Sequence, residues 1–282
     1  ANSKILVQYH QNFQIGNNAT NLYQMFVRAY SYTGQGVENW DVSGSANISY
    51  IMYLCTSFNG NIESWDVSDK TTLLYSFYYT SSLFRALNNW DTSSVTDARN
   101  AFNRSKITRL PTNWTSSTTG LNNLFTDNDT NSQSFNSDAA GLQLPSSGSI
   151  NMYQVLAFCD NLNADFGGWN ISNVSSLYQG LRNMANLSRV NCTSTLVRWA
   201  IKVYNEQGAT GVNVGYLFYQ SNTSAGGFDN SATTDSSGEE FAFPEGSDWE
   251  NAGDALYWLL SSEGGGWYAS AGGVSNIVTR HN

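Results

Sequence analysis

Three aspartates occupy the same place in a repeated tetrapeptide and are the first candidates for chemistry. Asp41, Asp66 and Asp91 each follow a tryptophan, and successive members are 25 residues apart (66 − 41 and 91 − 66). Stacked repeats would bring these carboxylates near one another, and glycoside hydrolysis uses two carboxyl groups about 5–10 Å apart. Asn170 holds the same place in a later repeat and cannot act as an acid or a base. The pattern therefore favours a turn residue whose side chain accepts backbone N–H bonds.

A second candidate is a run of oxygen-bearing side chains spaced somewhat like a calcium-binding loop. Its ligands would be Asp127, Asp129, Asn131 and Asp138. The glycine usual at the sixth place is Ser132, and an aspartate stands where the bidentate glutamate is usual. A solvated loop explains the same residues. The sequence thus predicts no metal site, with this run as the single calcium candidate.

The other reactive side chains do not form a recognisable catalytic set. The two histidines, His10 and His281, lie near opposite ends of the chain, and the sequence contains no nucleophile motif, phosphate-binding loop or zinc-ligand pair. We therefore predict no catalytic residues, no cofactor and a protein that is not an enzyme.

The element that would position these side chains is a repeat built around tryptophan. Trp-Asp-Val-Ser and its variants return at intervals of 25, 25, 24 and 55 residues (40 to 65, 90, 114 and 169). Apolar residues recur two, eight, twelve and eighteen places after the tryptophan, which makes a chance match of one tetrapeptide untenable. The repeated tryptophans are Trp40, Trp65, Trp90, Trp114 and Trp169.

The apolar offsets predict the shape of one repeat. Residues two apart share a face of a strand, and residues four apart share a face of a helical turn. We therefore predict an α/β repeat solenoid, a leucine-rich-repeat-like stack of about seven coils of about 25 residues with a parallel β-sheet. This solenoid would occupy residues 1–195, and a C-terminal capping module with a long loop would occupy residues 196–282.

The capping module has its own predicted elements. The sequence favours a helix over Leu196–Glu206, a strand over Val212–Tyr219, a Ser/Thr/Gly-rich loop over Ser221–Phe243 and a helix capped by Ser247. A solenoid needs an end unit of this kind to cover the apolar face of its last coil.

Several stretches carry a resemblance to a known family. They are the two Trp-Asp-Val-Ser units at Trp40 and Trp65, the segment Cys55-Thr56-Ser57-Phe58-Asn59, and the C-terminal segments 195–200 and 254–260. These stretches resemble BspA-type leucine-rich-repeat surface proteins. That family is known mainly for adhesion and surface display, so the resemblance implies a scaffold and a role of this kind without naming a ligand.

Charge and hydropathy exclude some partners. Only 12% of the residues are charged, and the net charge is −9. Nucleic acids and anionic membranes attract clustered lysine and arginine, which this chain lacks, and no run of about 20 apolar residues is present. We predict neither nucleic-acid binding nor membrane insertion. The first residues do not read as a signal peptide, so a signal was removed or none was needed; the expected location is extracellular, on a cell surface or on a virion surface.

The three cysteines indicate buried thiols. Cys55 and Cys159 each lie ten residues before a repeated tryptophan, and Cys192 begins a Cys-Thr-Ser triplet like that at Cys55. Sites in distant repeats cannot approach each other, so we expect no disulfide between them.

Asparagines in Asn-X-Ser/Thr patterns are possible glycosylation sites. The repeat favours Asn and Ser, so composition alone produces many such patterns. The candidates are Asn18, Asn47, Asn103, Asn113, Asn128, Asn186 and Asn222.

We predict a non-enzymatic, surface-displayed protein for adhesion, receptor binding or host attachment, with a protein or glycan on a cell surface as partner. Tyr30, Tyr32, Tyr78 and Tyr79 are candidate contacts, although they could equally pack between coils. The alternative is a structural subunit of a virion fibre, a virion decoration or an extracellular filament assembled from copies of itself. Edge strands at the solenoid ends would favour such assembly.

Overall fold

A computed structural model describes most of the chain, namely residues 15, 19–111, 113–114, 118, 120–128, 130, 132–206, 210–214, 217, 228–261 and 264–267. Six residues singled out above lie outside these ranges: His10, Asn18, Asp129, Asn131, Asn222 and His281. The regular elements are α1 (Gln133–Ala140), β1 (Ile150–Asn151), β2 (Val174–Ser176), α2 (Arg189–Glu206) and α3 (Ala252–Leu260), with a short 3-10 helix at Val37–Asn39. Among the described residues, no helix combines the length and the hydropathy needed to cross a bilayer.

The predicted α/β repeat solenoid is wrong. A leucine-rich-repeat-like stack of about seven coils would place a strand in each coil, whereas the described residues contain one parallel sheet of only two strands, β1 and β2. The helical turns expected from apolar residues four apart are also not found, because α1 is the only α helix in the described chain before residue 189.

What repeats is a short run of tight turns. In one of these runs the N–H of Ile51 donates to the carbonyl of Ile48 at 3.1 Å, and the N–H of Cys55 donates to the carbonyl of Met52 at 3.1 Å. The apolar residues at the first and fifth places of each run are buried, at 0–5% exposure. We call each run a rung; the rungs are residues 22–28, 48–54, 73–79, 98–104, 121–127, 152–158 and 177–183.

Main-chain hydrogen bonds at alternate residues join neighbouring rungs. The N–H groups of Tyr50 and Leu54 donate to the carbonyls of Leu74 and Tyr78 in the next rung, at 3.0 and 2.8 Å. The same alternation joins each rung to the next along the described chain. The backbone polar groups of a rung are therefore satisfied largely by its neighbours.

Left-handed residues explain why the rungs are not strands. Tyr50 has φ 59° and Leu54 has φ 60°, and every rung has two such residues four apart, with φ between 51° and 63°. A strand requires φ near −120°, so each of these residues ends the extended backbone. Each one costs about 1–3 kcal/mol for a residue other than glycine, and hydrogen bonds worth about 0.5–1.5 kcal/mol apiece offset that cost together with core burial.

Three of the repeated tryptophans donate a hydrogen bond to the main chain of the preceding segment, whereas Trp114 donates to the carbonyl of Pro111, three residues before it. The indole N–H of Trp65 donates to the carbonyl of Val37 at 2.8 Å, and that of Trp90 donates to the carbonyl of Ile62 at 2.9 Å. Trp169 donates to the carbonyl of an alanine in α1 at 2.8 Å. All five repeated tryptophans lie in the interior, at 0–5% exposure: Trp40, Trp65, Trp90, Trp114 and Trp169.

The C-terminal elements differ in detail from the expectation. Helix α2 begins at Arg189, so the predicted domain boundary at residue 195 falls inside it. Helix α3 packs against α2 and is capped by Asn251, whose side chain accepts the N–H groups of Gly253 and Asp254, rather than by Ser247. Of the strand expected over 212–219, the described residues contribute a single parallel bridge between Asn213 and β2.

A partly buried carboxylate joins the C-terminal elements to the repeats. Asp165 accepts hydrogen bonds from the hydroxyls of Ser194 in α2, at 2.5 Å, and Ser236, at 2.7 Å. Arg198, also in α2, lies 3.5 Å from the same carboxylate. One side chain of the repeat region therefore holds both α2 and the segment that leads to α3.

Replacing Trp65 with alanine tests how much a repeated tryptophan contributes to stability. We expect the free energy of unfolding to fall by about 3–5 kcal/mol, because the substitution leaves a cavity and removes the bond to the Val37 carbonyl. Urea unfolding monitored by circular dichroism measures the change. The control is Tyr30→Ala at a side chain that is 50% exposed, with an expected change within about 0.5 kcal/mol. Equal losses for the two variants would contradict the role of Trp65.

Candidate functional site

The three candidate carboxylates close turns. Asp41 accepts hydrogen bonds from the N–H and the hydroxyl of Ser43, at 3.0 and 2.6 Å. Asp66 and Asp91 have the same relation to the serine two residues after each of them, Ser68 and Ser93. The serine hydroxyl and N–H lower the pKa of all three aspartates. Asn170 accepts the equivalent backbone N–H at 3.1 Å. The position therefore requires an acceptor, as the sequence suggested, and does not require a titratable group.

The described members of the calcium candidate are held by different arginines. Arg109 donates to both oxygens of Asp138 at 2.7 and 3.0 Å, and the N–H of Leu110 adds a third bond at 2.9 Å. Asp127 instead pairs with Arg104 at 3.1 Å. Within the described ranges, no group of three or more His, Cys, Asp and Glu side chains is placed to hold a metal ion. Asp127 and Asp138 thus do not share a site.

The cysteines are buried and reduced. The thiol of Cys55 donates to the carbonyl of Phe26 at 2.8 Å, and that of Cys159 donates to the carbonyl of Phe125 at 3.2 Å, so the two thiols occupy matching places. Burial raises the pKa of Cys55 and of Cys192 to about 12. A thiol that stays protonated is a poor nucleophile, so these groups belong to the core.

The glycosylation candidates divide by exposure. Asn47, Asn113 and Asn186 are exposed. Asn103 and Asn128 are buried, at 8% and 1% exposure, and the folded protein does not offer their amides to a glycosylating enzyme. The remaining two candidates lie outside the described residues.

Tyrosines at matching places in neighbouring rungs stack in two rows. Tyr50 stacks on Tyr75 with centroids 5.1 Å apart, and Tyr53 stacks on Tyr78 at 5.2 Å. Tyr53 meets Tyr75 edge-on at 5.9 Å, and Tyr23 meets Tyr50 edge-on at the same distance. We call these five residues the tyrosine rows. Because the ring faces cover one another, the rows expose mainly ring edges and hydroxyl groups.

Burial favours the protonated hydroxyl in two members of the rows, Tyr50 and Tyr78. Burial, followed by the closeness of Tyr75, Tyr23 and Tyr53, raises the pKa of Tyr50. Burial likewise raises the pKa of Tyr78. At neutral pH Tyr50 and Tyr78 therefore present neutral hydroxyls, which both donate and accept hydrogen bonds.

Two arginines widen this aromatic surface. The guanidinium of Arg104 lies 5.3 Å above the ring centre of Tyr79, and that of Arg182 lies 5.5 Å above the ring centre of Phe158. Cation–π contacts of this length hold an arginine side chain over a ring. The surface thus combines aromatic rings, hydroxyls and guanidinium groups.

A cavity of about 220 Å³ opens where one tyrosine row ends. In the two rungs after Tyr78, the matching places hold Asn103 and Thr126, whose short, buried side chains lie at the base of the cavity. Phe158 stands on the far side. The change from tyrosine to shorter side chains therefore creates the depression.

Polar side chains complete the lining of the cavity. Arg104 and Asp127 line it as an ion pair, with Nε and Oδ2 3.1 Å apart. Gln154 also lines it and donates its amide N–H to the side chain of Gln179. The lining offers hydrogen-bond donors and acceptors with balanced charge.

The four tyrosines proposed from the sequence lie in different environments. Tyr78 belongs to the tyrosine rows, and Tyr79, 37% exposed, stands beside them. Tyr30 is exposed but contributes to neither row. Tyr32 is buried and stacks on Phe26 at 4.8 Å, so for this residue the alternative of packing in the interior is correct.

Sequence reasoning missed four members of the rows, namely Tyr23, Tyr50, Tyr53 and Tyr75. The signal was present, because tyrosines stand ten and thirteen places after both Trp40 and Trp65. It was overlooked because the offsets were searched for apolar core residues, and these tyrosines lie on the other side of the rung.

Comparison with known proteins gives the family. The model of the family described as "Mycoplasma protein of unknown function, DUF285" matches residues 8–114 and again residues 110–199. The two matches cover more than half of the chain, which therefore belongs to this family. No curated protein and no solved structure matches the chain.

The buried thiols yield a prediction on reactivity. A pKa near 12 instead of 9.0 lowers the thiolate fraction of Cys55 and Cys192 at pH 8 about a thousandfold. We expect the native protein to react with a disulfide reagent far more slowly than the protein in guanidinium, in which all three thiols react at once. Rapid reaction of any of the three in the native protein would show that the thiol is accessible.

The turn aspartates yield a prediction on acid stability. Their pKa values are lowered by folding, so their stabilising contribution is present above the unfolded pKa of about 3.9 and is lost as the pH falls through the folded value. The triple variant Asp41→Asn, Asp66→Asn and Asp91→Asn keeps the acceptors without the titration. Acid titration followed by circular dichroism should place its unfolding midpoint at a lower pH than that of the native sequence. The control is Asp248→Asn, at an exposed aspartate outside these turns, and an equal shift there would refute the assignment.

Proposed function

We propose that this protein is a surface-displayed recognition protein that mediates adhesion, receptor binding or host attachment. The contact surface is formed by the tyrosine rows and the adjoining Arg104, and the role is binding rather than catalysis. The proposed location is extracellular, on a cell surface or a virion. The single observation that carries the proposal is the partly exposed stacking of Tyr50 on Tyr75 and of Tyr53 on Tyr78.

The chemistry of the surface supports a binding role. Tyrosine and arginine are enriched among the residues that dominate binding energy, because each combines a large contact area with hydrogen-bonding groups. A tyrosine has few rotatable bonds, and stacking on its neighbours already orders it. A partner that meets the rows therefore loses little of its binding energy to ordering them.

The resemblance of the repeat units to BspA-type surface proteins supports the same role. Two successive matches to one family model, over residues 8–114 and 110–199, agree with a chain made of repeated units that display side chains in register. The net charge of −9 favours a partner that is neutral or basic over one that is strongly acidic.

Replacing Tyr50 and Tyr75 with asparagine tests the contact surface. Asn100 and Asn123 occupy the same place in the next two rungs with φ 57° and 55°, so asparagine suits this backbone and the fold should persist. The labelled chain is incubated with cultured cells and with arrays of extracellular proteins and glycans. We expect saturable binding that the double variant weakens at least about tenfold, as loss of a binding hot spot does.

The matched control is Tyr30→Asn, which removes an exposed tyrosine outside the rows and should leave binding within about twofold. Circular dichroism checks that each variant is folded. If binding is unchanged in the folded double variant, or if no surface or array retains the chain, the proposal fails. In the latter case, light scattering that detects a concentration-dependent oligomer would favour a self-assembling structural subunit.

A further inference from the structure

We propose that the cavity beside Tyr78 is a subsite for one pyranose ring of an uncharged glycan. This inference rests on the proposed function and specifies the ligand class of the same surface. The four observations that carry it are the aromatic sides of the cavity, its polar base, its balanced charge and its size.

The sides of the cavity offer aromatic ring faces. Tyr53 covers one face of Tyr78, with centroids 5.2 Å apart, and comes from the preceding rung. The next rung has Asn103 in the row instead of a ring, so the other face of Tyr78 is turned toward the cavity. Phe158 has the reverse arrangement. Arg182, from the following rung, covers one face of its ring, whereas Tyr78 is covered from the preceding rung.

The apolar C–H groups of a sugar pack well on such faces. A pyranose has a face of axial hydrogens and a rim of hydroxyls, and it gains contact area on a ring without losing the hydration of its rim. Either side of the cavity, Tyr78 or Phe158, can take this face.

The polar side chains that line the cavity suit vicinal hydroxyls. The Asp127 carboxylate accepts hydrogen bonds, and the Arg104 guanidinium donates them from a planar fork. The amide of Gln154 can do both. Adjacent hydroxyls of a sugar each donate and accept, so one ring can use groups of both kinds at once.

The charge of the lining favours an uncharged ligand. Arg104 and Asp127 are the only ionised side chains among the described residues that line the cavity, and they form an ion pair at 3.1 Å. A phosphate or a sulfate would meet the aspartate, and a cation would meet the arginine. The lining therefore has no surplus of positive or negative charge with which to recognise an ion.

The size of the cavity limits the ligand to one ring. At about 220 Å³ it is smaller than the roughly 300–1,000 Å³ usual for sites that enclose drug-sized molecules. A single ring enters it, and the rest of a glycan would lie outside.

Saturation-transfer NMR on the full chain tests the subsite directly. The probes are glucose, galactose, mannose and N-acetylglucosamine, each as the free sugar, with inorganic phosphate as a competitor. We expect saturation transfer to at least one sugar, with a Kd of about 1 mM or weaker, as suits a single ring, and no displacement by phosphate. Displacement by phosphate, or no transfer to any of the four sugars, would overturn the proposal.

Two substitutions compatible with the left-handed backbone locate the site. Asp127→Asn removes the charged acceptor at φ 55°, and Phe158→Asn removes one aromatic side at φ 63°, where the following rung has Asn183. Each should weaken the transfer at least about fivefold, because Phe158→Asn removes an aromatic contact and Asp127→Asn replaces a charged acceptor with a weaker, neutral one. Thermal unfolding checks that both variants are folded.

The matched control is Asp97→Asn, which breaks an ion pair of the same kind with Arg99, at 2.6 Å, outside the cavity. It should leave sugar binding within about twofold. If sugar binding survives both cavity variants, the subsite assignment fails. The proposed function is judged separately: a partner whose binding depends on Tyr50 and Tyr75 but not on Asp127 or Phe158 would sustain recognition by the rows while refuting the sugar subsite.

Discussion

The structure depends on the main-chain hydrogen bonds between rungs. Alternate N–H groups of one rung donate to carbonyls of the next at 2.7–3.1 Å, so each rung follows the path of its neighbour. That path costs about 1–3 kcal/mol of conformational free energy for each of the two left-handed residues in every rung. A rung alone would not keep it, and the bonds on both sides, together with the buried tryptophans, offset the cost. The fold is therefore cooperative between neighbours, as in other repeat proteins.

A fixed register turns this backbone into two ordered side-chain arrays. Toward the interior, Phe102 stacks between Phe77 and Phe125, with centroids 5.7 Å apart on both sides. Toward solvent, the same register stacks Tyr50 on Tyr75. The register between rungs therefore orders the side chains of both the core and the surface. Exchanging an outward-facing residue alters the surface without disturbing the backbone. The cavity beside Tyr78 is an example, because it exists where shorter side chains replace tyrosine.

The same repetition explains why the most regular polar residues are not the functional ones. Asp41, Asp66 and Asp91 recur because each repeat needs an acceptor at the same turn, and Asn170 meets that need without a charge. A side chain that accepts a backbone hydrogen bond at a turn recurs wherever that turn recurs. A binding site, by contrast, arises where the pattern is interrupted.

The sequence by itself determined the spacing of the repeat, the burial of its tryptophans and cysteines, and the acceptors after each tryptophan, because these follow from hydrophobicity and hydrogen-bonding capacity. It did not determine the backbone path. Tyr50 and Leu54 have no local preference for positive φ, and a pattern of apolar residues four apart predicts a helix instead. Only hydrogen bonds to rungs about 25 residues away select the left-handed turns, and in the described residues the regular parallel sheet is therefore limited to two short strands. The tyrosine rows and the cavity likewise required the tertiary structure, because their members are brought together by the register between repeats and not by proximity in the chain.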